Sequence, residues 1–235
     1  MPPFVLRKLH QRGYIKVYPP VGRVRKGDFK SLQPFSKEFG FDRDGGPIDR
    51  YYIHKFLKEE EASVRGRVLE IEDNEYTRMY GGSKVTQSDI LHINDSNPRA
   101  TIVGDLTNLP QVQDNRFDCI ILTQTLHLIY DFHAALATCY RILKPGGTLL
   151  LTSPGITPMD QLEWYNIWYW SFTKPSLEKL FSTCFQKEKT TVQSYGNVFI
   201  ASAFLYGMSL NEVREDELLH QDQHYPVILT VKATK

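Results

Sequence analysis

A chain of 235 residues, 41% hydrophobic and 23% charged, has the length and composition of one α/β domain with its own core. No apolar run reaches the length of a membrane span and the N-terminus lacks the apolar stretch of a secretory signal, so we expect a cytoplasmic protein. Three cysteines without metal-ligand spacing predict reduced, buried thiols and no metal site.

Positive charge is concentrated at the start of the chain, where residues 1–30 hold eight lysines and arginines against one aspartate, a net charge of +7. Such an arm either contacts a phosphate-bearing or acidic partner or packs loosely as a solvated extension, and the second interpretation is favoured. Its four prolines argue against a long regular helix. We predict a basic N-terminal extension and loop over residues 1–46 and a single domain over residues 47–235, without a nucleic acid partner.

The first predicted helix begins near Pro47 and runs to about residue 60. Its apolar face is formed, at helical spacing, by Ile48, Tyr52, Phe56 and Leu57. Arg50, Tyr51 and His54 lie off that face. They are either ordinary surface residues or part of a helix that caps a ligand pocket, in which case Tyr51 would contact the substrate.

Three short runs predict successive strands, each with an acidic residue at or after its end. Residues 68–71 carry Glu70 and are followed by Glu72, residues 84–87 lead to Asp89, and residues 100–103 lead to Asp105. The carboxyl ends of parallel strands form the edge at which open α/β sheets bind ligands. Carboxylates there can accept hydrogen bonds from ribose hydroxyls or hold an ammonium group. Since no glycine-rich phosphate motif is present, a cationic nucleoside without phosphates is favoured.

A fourth strand is predicted at residues 119–123, and Asp131 is the predicted N-cap of the helix that follows it. Pro145-Gly146-Gly147 ends this helix before a strand at residues 148–152. Strand, helix and strand form a right-handed βαβ unit, which predicts a parallel sheet. Further on, the pattern predicts a strand at 190–195, helices at 198–210 and 212–220, and a strand at 225–233.

Taken together, these segments resemble the class I S-adenosylmethionine-dependent methyltransferases. The motifs that carry the resemblance are VLEI at 68–71, Asp89, GDL at 104–106, FDCIILTQTL at 117–126 and RILKPGG at 141–147. The resemblance implies an α/β, Rossmann-like, seven-stranded and mostly parallel sheet with helices on both faces and one antiparallel edge strand. It also implies S-adenosylmethionine as the cofactor.

By this resemblance, the first loop contacts the methionine part of the cofactor, the second strand holds the ribose, the third flanks the adenine and the fourth borders the reacting methyl group. The implied contacts are Glu70 and Glu72 for the methionine part, Asp89 and Ile90 for the ribose, Asp105 and Leu106 for the adenine, and Thr123 and Gln124 for the methyl group. In the family the first loop is usually acid-x-Gly-x-Gly, but here Glu72 and Asn74 occupy the glycine positions. A side chain at Glu72 would either clash with the cofactor or bind its positive charge.

Residues 159–181 are dense in aromatic side chains, which either fill the core or form a platform at the mouth of a pocket, with Trp170 and Phe172 facing the acceptor. The WYWSFT segment at 168–173 resembles methyltransferases found with bacterial glycosyltransferases in polysaccharide assembly. That resemblance implies a sugar, a glycan or a related small molecule as the acceptor.

The predicted reaction is direct SN2 displacement of the sulfonium methyl group by an acceptor oxygen. His127 is the predicted base, with Tyr130, Asp131 and His133 as alternatives. Two other function classes are open. One is a catalytically silent domain of the same fold that positions a partner such as a glycosyltransferase. The other is a nicotinamide-dependent oxidoreductase, against which the missing glycine fingerprint counts.

Overall fold

The computed structural model describes residues 1–235, apart from the side chain of Lys26. By its internal contacts the chain forms two compact units. The first consists of Met1–Tyr52, Ile156–Tyr165 and Tyr195–Val227, and the second of Ile53–Gly155, Asn166–Ser194 and Ile228–Lys235. This division differs from the predicted boundary after residue 46, because residues 195–227 group with the N-terminal segment.

A seven-stranded sheet has the strand order β3-β2-β1-β4-β5-β7-β6. The strands are β1 (Gly66–Ile71), β2 (Val85–His92), β3 (Ile102–Val103), β4 (Phe117–Thr123), β5 (Leu143–Pro154), β6 (Thr190–Tyr195) and β7 (Ile228–Thr234). The pairs from β3 to β5 are parallel, and β7 pairs antiparallel with β5. The predicted Rossmann-like and mostly parallel sheet is confirmed, with its antiparallel strand β7 lying between β5 and β6.

Six α-helices are present in the described chain: α1 (Pro3–Gln11), α2 (Ile48–Glu59), α3 (Phe132–Ile142), α4 (Lys174–Phe181), α5 (Val198–Leu205) and α6 (Glu215–Leu219). The predicted N-cap of α3 is confirmed, since the Asp131 carboxylate accepts a hydrogen bond of 3.0 Å from the Ala134 N–H. Helix α1 forms although prolines argued against a long helix, because Pro3 occupies its first turn, where no N–H is needed.

Several predicted boundaries differ from the structure. Strand β5 runs over Leu143–Pro154, so Pro145-Gly146-Gly147, predicted to end the helix before this strand, lies inside it. Strand β2 begins and ends later than expected, and it carries Asp89 in its interior. Helix α5 ends at Leu205, and the final strand begins at Ile228. The shift in β2 matters most, because it moves a predicted site residue away from the end of its strand.

The core of the second unit lies on the sheet, where α3 and α4 pack against it. Its buried side chains include Leu69 of β1, Ile120 and Leu122 of β4, Leu149 and Leu151 of β5, Leu136 and Cys139 of α3, and Leu177 and Phe181 of α4. Cys119 and Cys139 are buried free thiols, as expected, whereas Cys184 is half-buried. No helix in the described part of the chain combines the length and apolar character needed to cross a bilayer.

In the first unit, the N-terminal segment is tied to residues 206–212 by buried polar contacts. The Arg43 guanidinium pairs with the Glu212 carboxylate, with Nε 2.8 Å from Oε2, and both side chains are almost fully buried. Arg43 also donates to the carbonyl oxygen of Pro19 at 2.8 Å. The Tyr206 hydroxyl donates to the Phe29 carbonyl oxygen. Residues 19–43 are therefore part of a packed unit.

Candidate functional site

The site is built at the carboxyl edge of four parallel strands in the second unit. Ile71 of β1 is paired with Leu91 of β2, and Leu91 is paired with Ile102 of β3. On the other side of β1, Glu70 is paired with Ile121 of β4. This register brings the four strand ends to one edge, which is where open α/β sheets bind ligands. The loops that follow the strands therefore carry the candidate residues.

The Glu70 carboxylate fixes the first loop, which follows β1, through hydrogen bonds. Its carboxylate is buried and accepts hydrogen bonds from the backbone N–H groups of Tyr76 at 3.2 Å and Thr77 at 2.7 Å. The Thr77 hydroxyl donates a third bond of 2.7 Å. Burial raises the pKa of Glu70 to about 7, although these donors act in the opposite direction. Because its acceptors are used by the loop, Glu70 shapes the site without presenting a free carboxylate.

Glu72 adopts the backbone conformation that glycine favours, with φ of 75°. Its N–H donates to the Leu91 carbonyl oxygen at 3.0 Å, which holds the loop across β1 and β2. Its side chain is 70% exposed, and the carboxylate lies 3.7 Å from Nε2 of His92. The Glu72 carboxylate is therefore exposed to solvent at the strand ends.

Asp89 requires a correction. It lies inside β2, three residues before the strand ends, and only 4% of it is exposed. Both carboxylate oxygens pair with the Arg67 guanidinium, at 2.6 and 3.1 Å, and one also accepts from the Thr101 hydroxyl. Because the carboxylate is occupied and away from the edge, it has no free oxygen for a ribose. The adjacent Ile90 is buried as well.

His92 is the residue that ends β2, and sequence reasoning missed it because it ended this strand too early. The ring is mostly buried, with Nδ1 2.8 Å from the Asn94 carbonyl oxygen. The apolar run Ile90–Leu91 beyond Asp89 was the signal that could have extended the strand to His92.

The third strand contributes one exposed acid. Asp105 follows β3, and one of its oxygens accepts a hydrogen bond of 2.8 Å from the Thr107 N–H. The neighbouring Leu106 is 5% exposed and packs into the core, so its side chain does not reach the edge. Asp105 is therefore the acidic residue of this loop that a ligand at the edge can meet.

Thr123 ends β4, the strand beside β1, and Gln124 follows it. Both are half-buried, and Gln124 has a left-handed backbone with φ of 48°. The Gln124 N–H donates to the Thr152 carbonyl oxygen at 3.0 Å, which fixes the turn that leaves the strand. Thus the structure brings Glu72 and Gln124 to the ends of adjacent strands, as the resemblance implied for the methionine and methyl end of the cofactor.

His127, the predicted base, is 2% exposed, and its ring centroid lies 4.4 Å from that of Trp168. Burial lowers the pKa of His127 to about 4, so the imidazole is neutral near pH 7. Among the described residues, Nδ1 has no hydrogen-bond partner. The carbonyl oxygen of His127 accepts from the N–H groups of Tyr169 and Trp170. Because a buried imidazole of such low basicity is a poor general base, the structure gives no support to the predicted role of His127.

The aromatic side chains of residues 159–181 are partly buried in the core and partly exposed at the surface. Phe172 is 7% exposed and packs edge-on against Phe132, so the prediction of a substrate contact is corrected to a core role. Trp170 is half-buried and donates from Nε1 to the Ile129 carbonyl oxygen at 3.1 Å. Tyr169 is exposed, and its ring centroid lies 5.3 Å from that of Tyr130, which is also exposed. They offer an aromatic surface beside the loop that follows β4.

Tyr51 belongs to the first unit, where its ring packs edge-on against Tyr52 with centroids 5.3 Å apart. In the second unit, sequence reasoning missed a cluster next to the first loop. Nδ1 of His54 lies 2.6 Å from the Tyr80 hydroxyl, and its ring packs edge-on against Tyr76. Through Tyr76, whose N–H donates to Glu70, this cluster is connected to the first loop.

Comparison with known proteins gives a match to the family described as "Methyltransferase domain" over residues 62–151, less than half of the chain. A demethylmenaquinone methyltransferase of Listeria monocytogenes is 29% identical over 63% of this chain and 60% of its own length. A ubiquinone/menaquinone biosynthesis C-methyltransferase of Enterobacter sp. strain 638 is 34% identical over 37% of this chain and 40% of its own length. The chain thus spans less than two thirds of these relatives.

Solved structures share the fold at low identity. A methyltransferase from Mesorhizobium loti described as S-adenosylmethionine-dependent has a TM-score of 0.51 at 14% identity, covering 76% of this chain and 95% of its own. The [4+2]-cyclase SpnF has a TM-score of 0.52 at 14% identity, covering 99% of this chain and 93% of its own. Since one of the two is described as a cyclase, the shared fold alone does not determine the reaction.

The domain match and the strand order support a class I methyltransferase, with S-adenosylmethionine as the implied cofactor. The described residues of the first loop fit S-adenosylmethionine. Backbone at Glu72 follows the left-handed path that a glycine would take, and the carboxylates of Glu72 and Asp105 are exposed at the edge as acceptors. No other carboxylate of the predicted set is free, because Glu70 and Asp89 are occupied.

Proposed function

We propose that this chain is an S-adenosylmethionine-dependent methyltransferase whose site lies at the carboxyl edge of β1 to β4. The observation that carries the proposal is the first loop, which keeps a glycine-like backbone at Glu72 while Glu70 holds the N–H groups of Tyr76 and Thr77. This loop follows the first strand of a β3-β2-β1-β4-β5-β7-β6 sheet and lies within residues 62–151, which match the methyltransferase domain.

In this proposal, the protein acts by binding and alignment. S-adenosylmethionine would supply the methyl group of its sulfonium. The acceptor atom would attack the methyl carbon, S-adenosylhomocysteine would leave as the C–S bond breaks, and the acceptor's proton would be released to solvent. Glu72 attracts the positive charge at the methionine end, and Asp105 accepts a hydrogen bond from the adenine amino group. Thr123 and Gln124 border the methyl group. Holding donor and acceptor in line and excluding water lowers the barrier without requiring a base at His127.

For the acceptor, we propose a small molecule with a flat ring that stacks on Tyr130 and Tyr169. The support is the exposure of the two rings beside the β4 loop, since aromatic faces bind planar groups and the apolar faces of sugars. The predicted oxygen methylation of a sugar or glycan finds no support among the relatives, whose names describe methylation of carbon or of demethylmenaquinone. A ring carbon is therefore favoured over a sugar oxygen as the methylated atom.

A second candidate function is a silent domain of the same fold that positions a partner protein. Two observations favour it: Glu72, Asn74 and Tyr76 leave the first loop without glycine, and the Asp89 carboxylate is taken by Arg67. Under this alternative, the cleft binds no cofactor. A nicotinamide-dependent oxidoreductase remains the third class and has no support from the comparisons.

Calorimetry with S-adenosylhomocysteine, S-adenosylmethionine and NAD separates these functions. We expect saturable binding of the first two and none of NAD. Asp105→Asn should weaken S-adenosylhomocysteine about tenfold, the loss of one charge-assisted hydrogen bond. Glu178→Gln, which removes an exposed acid from α4, is the matched control and should change nothing.

Methyl transfer is then measured with radiolabelled S-adenosylmethionine, using a demethylated quinol and a sugar with free hydroxyls as the two acceptors. Labelling of the quinol supports the proposal, and Tyr130→Ala with Tyr169→Ala should raise its KM more than it lowers kcat. Exclusive labelling of the sugar would overturn the ring-carbon acceptor. Absence of S-adenosylhomocysteine binding would favour the silent domain.

A further inference from the structure

The first unit contains a cavity whose described lining residues all lie within residues 7–35, most of which composition had marked as a basic extension. Its volume is about 760 Å³, within the range of small-molecule sites. One wall is a face of α1, where Arg7, His10 and Gln11 follow each other at helical spacing. The opposite wall comes from residues 27–35 and includes Lys30 and Phe35.

The described lining carries two cations, Arg7 and Lys30, against one carboxylate, Asp28, a net charge of +1. Arg7 and Lys30 are exposed cations, and among the described residues no carboxylate lies within 4 Å of either. Asp28 is the only acidic residue in the described lining. Its carboxylate already accepts a hydrogen bond of 2.6 Å from the Arg25 N–H. Single solvated cations on a surface are ordinary, but two that line one concavity within a segment of net charge +7 create a site for an anion.

A flat group can be held beside these cations. The His10 and Tyr18 rings are stacked, with centroids 6.0 Å apart and planes at 23°. His10 is fixed in orientation because its Nδ1 donates to the Ile15 carbonyl oxygen at 3.0 Å. Phe35 in the opposite wall is 7% exposed, so it contributes an apolar boundary. Aromatic and apolar walls with cations beside them suit a planar ring that carries phosphate.

We propose that this cavity binds a phosphorylated, ring-bearing small molecule of the nucleoside diphosphate class. Arg7 and Lys30 hold the phosphates, and the ring lies against Tyr18 and Phe35. Arg7 suits this role because its guanidinium can bind phosphate oxygens in a bidentate manner. The proposal does not depend on the function of the sheet edge, since every residue involved belongs to residues 7–35.

The test is calorimetry of the full chain with UDP, with S-adenosylhomocysteine present in excess so that the cofactor cleft is not the site measured. We expect saturable binding of one UDP per chain. The double variant Arg7→Gln/Lys30→Gln should weaken it at least about tenfold, because two charge-assisted contacts are lost. The control Lys8→Gln/Arg12→Gln removes the same two charges from exposed positions outside the lining and should change the affinity less than about twofold by screened electrostatics.

Two further measurements make the result decisive. Tyr18→Leu should weaken UDP and leave pyrophosphate unchanged, since only the ring contact is lost. Circular dichroism and thermal unfolding of each variant show whether it is folded. Equal losses in the two double variants would overturn the proposal in favour of non-specific attraction of polyanions to the basic segment. Failure of UDP to saturate at millimolar concentration would overturn it outright.

Discussion

Two buried carboxylates in neighbouring strands, Glu70 and Asp89, are stabilised by different partners. Glu70 is surrounded by neutral donors, and burial outweighs them, so its pKa rises to about 7. Asp89 is paired with a guanidinium, with Arg67 Nε 2.6 Å away. The first carboxyl is therefore partly protonated at neutral pH, whereas the second forms an ion pair. These differences give the two residues different effects on stability.

Glu70→Gln should remove a pH dependence of stability. Because the pKa of Glu70 is higher in the folded chain, near 7, than the ordinary value of 4.5, the folded state binds more protons between these values. Its contribution is fully present below about pH 4.5 and is lost as pH rises through 7, up to about 3 kcal/mol. Urea unfolding from pH 4 to 8 should show this loss in the wild type and in the exposed control Glu72→Gln. If the stability of Glu70→Gln depends on pH in the same way as that of the wild type, Glu70 is not the source of the pH dependence.

Asp89→Asn should destabilise the fold by about 3 kcal/mol, because it leaves the largely buried Arg67 without its partner. Replacing both residues by leucine should cost less than the single change, since no buried charge remains. Chemical unfolding measures both. At a temperature where Asp89→Asn stays folded, S-adenosylhomocysteine affinity should remain within about twofold of the wild type, as expected for a carboxylate that does not contact ribose. A selective loss of affinity would restore the original prediction.

At the scale of elements, the first loop combines a glycine-like backbone with side chains that are not glycine. The left-handed backbone conformation is sterically unfavourable for Glu72. The hydrogen bond from its N–H to the Leu91 carbonyl oxygen holds it in that conformation. Asn74 donates from Nδ2 to the Ser88 hydroxyl at 3.0 Å, a second tie between this loop and β2. These hydrogen bonds of Glu72 and Asn74 hold the loop in its conformation although neither residue is a glycine.

Glu72→Gly should raise the free energy of unfolding by about 1 kcal/mol, because it relieves the left-handed strain. Glu72→Ala is the matched control, since it also removes the carboxylate but retains a Cβ and therefore the strain. Both variants should weaken S-adenosylmethionine if the carboxylate binds its positive charge, and only the glycine variant should gain stability. Denaturant unfolding and calorimetry distinguish the two effects. Equal stability of the two variants would show that position 72 is not strained.

At the scale of the whole molecule, neither compact unit is a continuous piece of chain. Each contains three segments, and the N-terminal 52 residues share their unit with residues 195–227. The buried Arg43–Glu212 pair joins these distant segments. Residues 1–46, predicted as an extension, therefore include a residue on which the packing of a late part of the chain depends.

Deletion of residues 1–46 should destabilise the first unit by about 3–5 kcal/mol or more, because Glu212 would lose the guanidinium that neutralises it. Deletion of residues 1–12 removes α1 and leaves Arg43 in place, so it should cost far less. Proteolysis and urea unfolding of the two truncated chains measure the difference. If both deletions behave alike, the N-terminal segment is the loose extension that composition first suggested.

Much of the fold follows from local patterns. The isoleucine-rich run before Thr123 marks a strand buried on both faces, and Asp131 caps α3 because its side chain satisfies a free N–H. Helix α2 follows from its apolar face, and β6 ends at Tyr195 as expected. These features depend on residues close in sequence, so periodicity and capping chemistry are sufficient to predict them.

By itself, the sequence determined the parallel sheet, its order of elements and the acidic character of its edge. Only the tertiary structure decided which acids are free, because Arg67 reaches Asp89 from the neighbouring strand and Tyr76 and Thr77 donate to Glu70 across the loop. It also decided that His127 is buried under Trp168 and that Arg43 meets Glu212. The Arg67–Asp89, His127–Trp168 and Arg43–Glu212 contacts join residues far apart in the chain. Burial, which raises the pKa of Glu70 and lowers that of His127, exists only once the chain has packed.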